Sequence, residues 1–224
     1  MNLKSKKQNH YKKRYLIIAP AVIALGLCLY FAFPSDYVPS KNPYVCLDAG
    51  HGADDVGAIN GSRYEKDDDL RLTLAVRDKL EGMGIKTLLT REDDSDVTLE
   101  ARCKIANKNG CNLFVCIHRN SAESKDARGV EAWIARSQKG NEKALAEDLL
   151  KNICTVTGQQ NRGVKKGYRD ATSRDFYINA DTDMPSLLLE IGFITNAEDN
   201  AAFDEKLDAT AETIAKTIYD YYFD

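Results

Sequence analysis

"YVCLDAGHGADDVGA", residues 44–58, runs an apolar segment of strand length into an Asp, a His and a glycine-rich loop. An apolar run without polar alternation is what a strand buried on both faces looks like, and such strands belong to parallel sheets covered by helices. The same pattern recurs at 85–89 (IKTLL), 113–117 (LFVCI), 130–134 (VEAWI) and 187–191 (LLLEI). Helix-like stretches separate several of them. Residues 67–84 place Leu70, Leu74, Val76, Leu80 and Met83 near one helical stripe, with acids at the start and Gly84 at the end. The segment after Thr98, a side chain suited to an N-cap, closes at Gly110. Residues 141–158 and 204–222 read as two further amphipathic helices. Strand and helix alternate, so the expected fold class is α/β: a single domain with a mostly parallel twisted sheet flanked by helices on both faces. Residues 159–185 break the pattern and are expected to form a long loop or short hairpin that shapes a site.

Upstream of this domain the composition changes. Lys4, Lys6, Lys7, Lys12, Lys13 and Arg14 precede residues 15–34, YLIIAPAVIALGLCLYFAFP, a run without charge. Its length matches a helix crossing ~30 Å of hydrocarbon. The basic cluster predicts a cytoplasmic N-terminus and an exported domain. The expected order is therefore a basic cytoplasmic tail (1–14), one N-terminal transmembrane helix (15–34), a linker (35–43) and the folded domain (44–224). Cleavage of the apolar segment would instead release a secreted form, but no Ala-x-Ala site follows it. The LGLC stretch ending at Cys28 has Leu27 where a lipoprotein box needs a small residue.

A formal net charge of −3 over 224 residues carries no signature of a nucleic-acid partner. Five cysteines lie beyond the apolar segment, an odd number without regular spacing, so no disulfide framework is expected. Cys46 and Cys116 sit inside strand runs, where a cysteine is usually a small buried hydrophobe.

Ligands of open α/β sheets bind at the carboxyl ends of the strands. His51 follows the first strand, His118 follows LFVCI, Glu190 stands near the end of LLLEI, and Glu65 opens the first long helix. Two histidines and a glutamate with an open position form the ligand set of a hydrolytic zinc site. A carboxylate framed by apolar neighbours, as Glu190 is, can be tuned for proton transfer. From pattern alone two other readings stand beside this one: histidines that only hydrogen-bond the fold, and a loop that cradles a phosphate. The loop lacks both the G-x-G-x-x-G spacing and a Gly-Lys-Ser/Thr ending that the phosphate reading requires.

Seven blocks come in order: LDAGHGADDVGA, Glu65 in YEKDDDLRL, LLTRED, LFVCIHRNSA, RGVEAW, RGVK and MPSLLLEIGFITN. Together they resemble the zinc-dependent N-acetylmuramoyl-L-alanine amidases that cut bacterial peptidoglycan, over roughly residues 44–222. The resemblance implies a single α/β domain, one catalytic zinc held by His51, Glu65 and His118, and Glu190 as the catalytic acid and base. The implied reaction is hydrolysis of the amide between N-acetylmuramic acid and the L-alanine of the stem peptide, with zinc-activated water as nucleophile. It further implies peptidoglycan as substrate and leaves room for a separate protein activator; the basic tail and the uncharged 15–34 run add the expectation of a single-span anchor in the bacterial cell membrane with the catalytic domain outside the cytoplasm, and a monomer is expected.

Some residues depart from the family pattern. Ala49 replaces a proline in the first block. Asp68 stands where an apolar residue is usual, which makes Asp67 or Asp68 the alternative ligand to Glu65. Arg119 replaces a small residue after His118, either narrowing the groove or contacting a stem-peptide carboxylate; the family's Asn after that histidine is kept as Asn120, and the resemblance implies that it hydrogen-bonds substrate. Arg162, Lys165, Lys166, Arg169 and Arg174 form either a basic rim that steers carboxylates or ordinary solvated charge. Trp133 is expected in the core. Two rival functions remain at this level: a catalytically silent wall-binding protein of the same fold, and a zinc peptidase that cuts within the stem peptide.

Overall fold

The computed structural model describes residues 41–169 and 173–223. The expected tail (1–14), membrane segment (15–34) and most of the linker (35–43) lie outside the described residues. Among the described residues no helix is long and apolar enough to cross a membrane.

Six strands form the main sheet: β1 (Tyr44–Ala49), β4 (Lys86–Leu89), β5 (Leu113–Asn120), β6 (Val130–Ile134), β7 (Asn161–Lys166) and β8 (Ser186–Phe193). A two-residue pair, β2 (Ile59–Asn60) and β3 (Arg63–Tyr64), makes a separate small hairpin. The main sheet runs in the order β4-β1-β5-β8-β6-β7, and every neighbouring pair is parallel except β6 with β8. Five helices join them: α1 (Glu65–Gly82), α2 (Leu99–Asn109), α3 (Glu142–Thr157), α4 (Tyr177–Asp181) and α5 (Ala197–Phe223). The result is the expected α/β domain with a mostly parallel sheet and helices on both faces.

Successive residues of a strand point to opposite faces, and here they divide between two apolar clusters. Leu113, Val115 and Ile117 of β5, Leu187, Leu189 and Ile191 of β8, and Val45 and Leu47 of β1 join Leu72, Val76 and Leu80 of α1, Leu149 and Ile153 of α3, and Ile214 and Ile218 of α5. Phe114 and Cys116 of β5, Leu188 of β8, Cys46 of β1 and Trp133 of β6 instead meet Cys103 and Ala106 of α2, Ile178 of α4 and Met184. Burial on both faces is why the strands read as continuous apolar runs. Each fully buried Leu, Ile or Val adds about 1.5–3 kcal/mol to folding.

Helix ends follow local chemistry. Thr98 Oγ1 accepts the Ala101 N–H at 3.2 Å, and Gly110 closes α2 at φ 64°, as expected. α5 begins at Ala197, seven residues before the expected position, because Asn196 Oδ1 accepts the Asp199 N–H at 3.0 Å and caps it. The described residues of 159–185 hold more regular structure than expected. The stretch opens with β7, which pairs with β6, and holds the single helical turn and a half of α4.

Candidate active site

On the second face of the sheet the strands change from apolar to polar as they near one edge. Two residues after Cys46 comes Asp48, after Cys116 comes His118, and after Leu188 comes Glu190. β6 runs the other way, so its start reaches the same edge and places Glu131 before Trp133. His118 pairs in register with Glu190, and Glu190 with Glu131, so the three share one face. The alternation that builds the core thus also delivers the polar groups.

His51 and Glu65 reach this edge from loops. The chain leaving β1 takes a left-handed backbone at His51 (φ 58°) and Ala53 (φ 50°), a strained state for residues with a Cβ. Two buried arginines hold it. Arg91 donates to the carbonyls of Ala49 (3.0 Å) and Gly50 (2.6 Å), and Arg102 to those of Ala49 (2.5 Å) and His51 (2.6 Å). Asp48 accepts from Arg102 at 2.7 Å and from Thr90 at 2.5 Å, tying β1 to the same clamp. At Gly50 a Cβ would stand 2.2 Å from the His118 ring, so only glycine lets the imidazole lie against the loop.

Glu65 is the first residue of α1 and is buried. Its Oε1 lies 2.9 Å from His118 Nδ1 and 3.3 Å from His51 Nε2, and its Oε2 accepts the Ala58 N–H at 2.8 Å. The two imidazole rings stand edge to face, 4.8 Å apart. Asp55 sits 2.9 Å from His51 Nδ1, the arrangement by which a carboxylate orients a ring and leaves Nε2 facing the cluster. Burial opposes the charge on both Glu65 and His51. The imidazoles nevertheless hold the Glu65 pKa below the usual carboxylate range, and Glu65 and Asp55 raise that of His51. His51, Glu65, His118 and Asp69 each offer a donor atom, all within 4.8 Å of one another, a group that can hold a metal ion. Two imidazoles with carboxylate oxygen form a donor set suited to a borderline divalent cation.

Glu190 is buried, and Arg169 from the β7–α4 connection donates to its Oε1. Burial raises the Glu190 pKa, with Arg169 and His118 working against that rise. A cavity of about 1100 Å³ opens over these groups, with Tyr168, Arg169, Arg174 and Phe176 on its loop side.

The structure brings His51, Glu65, His118 and Glu190 together at one edge, as the sequence led one to expect. Neither alternative to Glu65 takes its place. Asp67 is exposed, and Asp68 is buried in ion pairs with Arg63 and Arg119. Arg119 and Asn120 both make hydrogen bonds within the fold. Arg119 is 1% exposed, its guanidinium engaged by Asp68 and by Asn200 at 2.7 Å and stacked on Phe203, which leaves no free face for a stem-peptide carboxylate. In Asn120, Nδ2 donates to Glu131 at 3.0 Å and Oδ1 accepts the Ser121 N–H at 2.8 Å.

The basic rim is largely paired with acids. Arg162 (2.8 Å) and Lys165 (2.5 Å) donate to Glu131, while Arg169 holds Glu190. Trp133 is core, its indole N–H donating to Glu131 at 3.0 Å. The described cysteines are all free. Asp55, Asp69, Arg91 and Arg102 were not anticipated. Asp55 lies four residues after His51 and Asp69 four after Glu65, a spacing that offered a signal. Arg91 sits in the LLTRED block, whereas nothing local marks Arg102.

Comparison with known proteins agrees with this geometry. Residues 45–220 match the family model described as N-acetylmuramoyl-L-alanine amidase. The chain is 34% identical over 212 residues to uncharacterized protein YqiI of Bacillus subtilis, covering 93% of this chain and 97% of that protein. It is 33% identical over 189 residues to N-acetylmuramoyl-L-alanine amidase LytC of the same organism, covering 81% of this chain and 37% of LytC. Its structure is similar to the catalytic domain of CwlV, an N-acetylmuramoyl-L-alanine amidase from Bacillus (Paenibacillus) polymyxa, with a TM-score of 0.71 at 36% identity, covering 80% of this chain and 97% of that one. With its sheet edge, its His-Glu-His cluster and a family match over most of its length, the chain belongs to the N-acetylmuramoyl-L-alanine amidase family.

Proposed function

We propose that this protein is a peptidoglycan hydrolase that cleaves the amide between the lactyl group of N-acetylmuramic acid and the L-alanine of the stem peptide, with zinc as its metal. The observation that carries this reading is the convergence of His51, Glu65 and His118 beside Glu190 under one cavity.

His51 Nε2, Glu65 and His118 Nδ1 would hold the zinc ion. When bound it supplies Lewis acidity, polarising the scissile carbonyl and making water a competent nucleophile near neutral pH. Glu190, in register with His118, takes the proton from the attacking water and returns it to the leaving alanine amine. Arg169 orients that carboxylate and favours its charged form against burial. Asp55 fixes the His51 ring, and the Arg91–Arg102 clamp fixes the loop that carries it. The cavity is of a size to enclose a sugar-peptide segment.

The uncharged run at 15–34 after a basic tail supports a single-pass anchor with the catalytic domain outside the cytoplasm. Fractionation tests this, since an anchored protein stays with membranes after a high-salt wash. To test the activity, purified peptidoglycan is digested with the zinc-loaded protein and the new ends are identified. New N-terminal alanine, abolished by a chelator, is expected. New ends within the stem peptide would favour a peptidase, and zinc binding with no cleavage a wall-binding protein.

A further inference from the structure

Among the described residues four aspartates are buried: Asp48, Asp68, Asp69 and Asp199. Three are surrounded by donors. Asp48 accepts from Thr90, Arg102 and Cys116. Asp68 is paired with Arg63 and Arg119. Asp199 accepts from the backbone of Gly129 and Phe193 and from Gln159. Asp69 is 0% exposed, yet neither of its oxygens has a hydrogen-bond partner among the described residues.

A buried carboxylate without donors is unfavourable and rare, and this one is aimed at the site. Asp69 follows Glu65 by four residues on α1, so the two project from the same side of the helix. Its Oδ2 stands 3.7 Å from His118 Nδ1. Its neighbours include the like-charged Glu65 and Glu190, while Arg91 and Arg119 act on it without hydrogen-bonding it. The surrounding charge therefore makes the absence of a partner worse, and a cation among His51, Glu65 and His118 would relieve it.

We propose that Asp69 is a fourth, anionic member of the metal centre, so that this chain meets its metal with two imidazoles and two carboxylates. This rests on the metal reading given above and extends it. Ligand charge count tunes the affinity of a site for a divalent ion, and groups at the margin of a metal site commonly change affinity by about 10- to 100-fold. Asp69 raises affinity for the ion, while in the metal-free protein burial and the neighbouring Glu65 and Glu190 disfavour its charged form.

The test uses purified full-length wild type, Asp69→Asn and Asp69→Ser. Zinc is titrated into the metal-free proteins in competition with a chelating dye, and each metal-free protein is melted. The neutral isostere Asp69→Asn should bind zinc at least about 10-fold more weakly while its metal-free form melts at a higher temperature than wild type. Asp69→Ser, which also removes the charge, should show the same weakening. Zinc affinity equal to wild type in both variants would overturn the assignment of Asp69 while leaving the His-Glu-His reading intact. Failure of the wild type itself to bind zinc would overturn both.

Discussion

The two faces of the sheet are built from the same strands but serve different ends. One face packs against the long helices α1, α3 and α5 through an apolar cluster that runs the length of β1, β5 and β8. The other is covered by α2 and the short α4, and its apolar cluster gives way to Asp48, His118, Glu190 and Glu131 at the edge. A complete apolar cover yields stability, and an incomplete one leaves strand ends to hold out polar groups into a cavity. Neighbouring residues of a single strand can therefore belong wholly to one role or the other.

Leu189 and Glu190 put that division to its sharpest test, being adjacent in β8 and on opposite faces. The largest effect is expected at the site: Glu190→Gln should lower turnover of peptidoglycan by about 10³-fold, in the range of a lost general acid–base, while thermal melts show the fold intact. Leu189→Ala should do the reverse, costing about 2–5 kcal/mol of stability through lost burial and a cavity, with activity per folded molecule preserved. Denaturant titration together with initial rates separates the two. Equal losses of stability and activity in both variants would break the division between the faces.

A smaller difference concerns pH in the metal-free protein, where His51 and Glu65 on the site face shift each other's titration. Glu65 has a depressed folded pKa, so its contribution is present above the ordinary value of 4.5 and is lost as pH falls towards the folded value. His51 has a raised folded pKa, so its contribution is present below 6.5 and is lost as pH rises through the folded value. Their joint contribution is greatest between these two ordinary values. Melting temperatures across pH 3–9, on the order of that span, should show this dependence flattened by Glu65→Gln.

The core face was the more legible of the two in the sequence. Continuous apolar strands and amphipathic helices depend on local pattern, and both were readable, as were the Thr98 and Gly110 caps of α2 on the other face. β7 was not, because NRGVKK carries two basic side chains whose partner, Glu131, lies on another strand. On the site face the residues with a local signature were found: histidines after strands, a glutamate at a helix start and a glutamate among leucines. Arg119 was misplaced because its environment, Asp68 below it and Phe203 against its plane, comes from segments 51 and 84 residues away in the chain. Arg102 escaped for the same reason, whereas Asp69 carried a local signal, four residues after Glu65 on α1. A side chain's burial and its partners are properties of the assembled fold.

The central claim is that His51, Glu65 and His118 hold one zinc ion and that Glu190 acts beside it without holding it. Metal content by mass spectrometry of the purified wild type, Glu65→Ala and Glu190→Gln proteins after zinc loading tests this most directly. One zinc per chain in the wild type and in Glu190→Gln, with loss of the metal in Glu65→Ala, is the predicted result. Zinc retained by Glu65→Ala and lost from Glu190→Gln would contradict it.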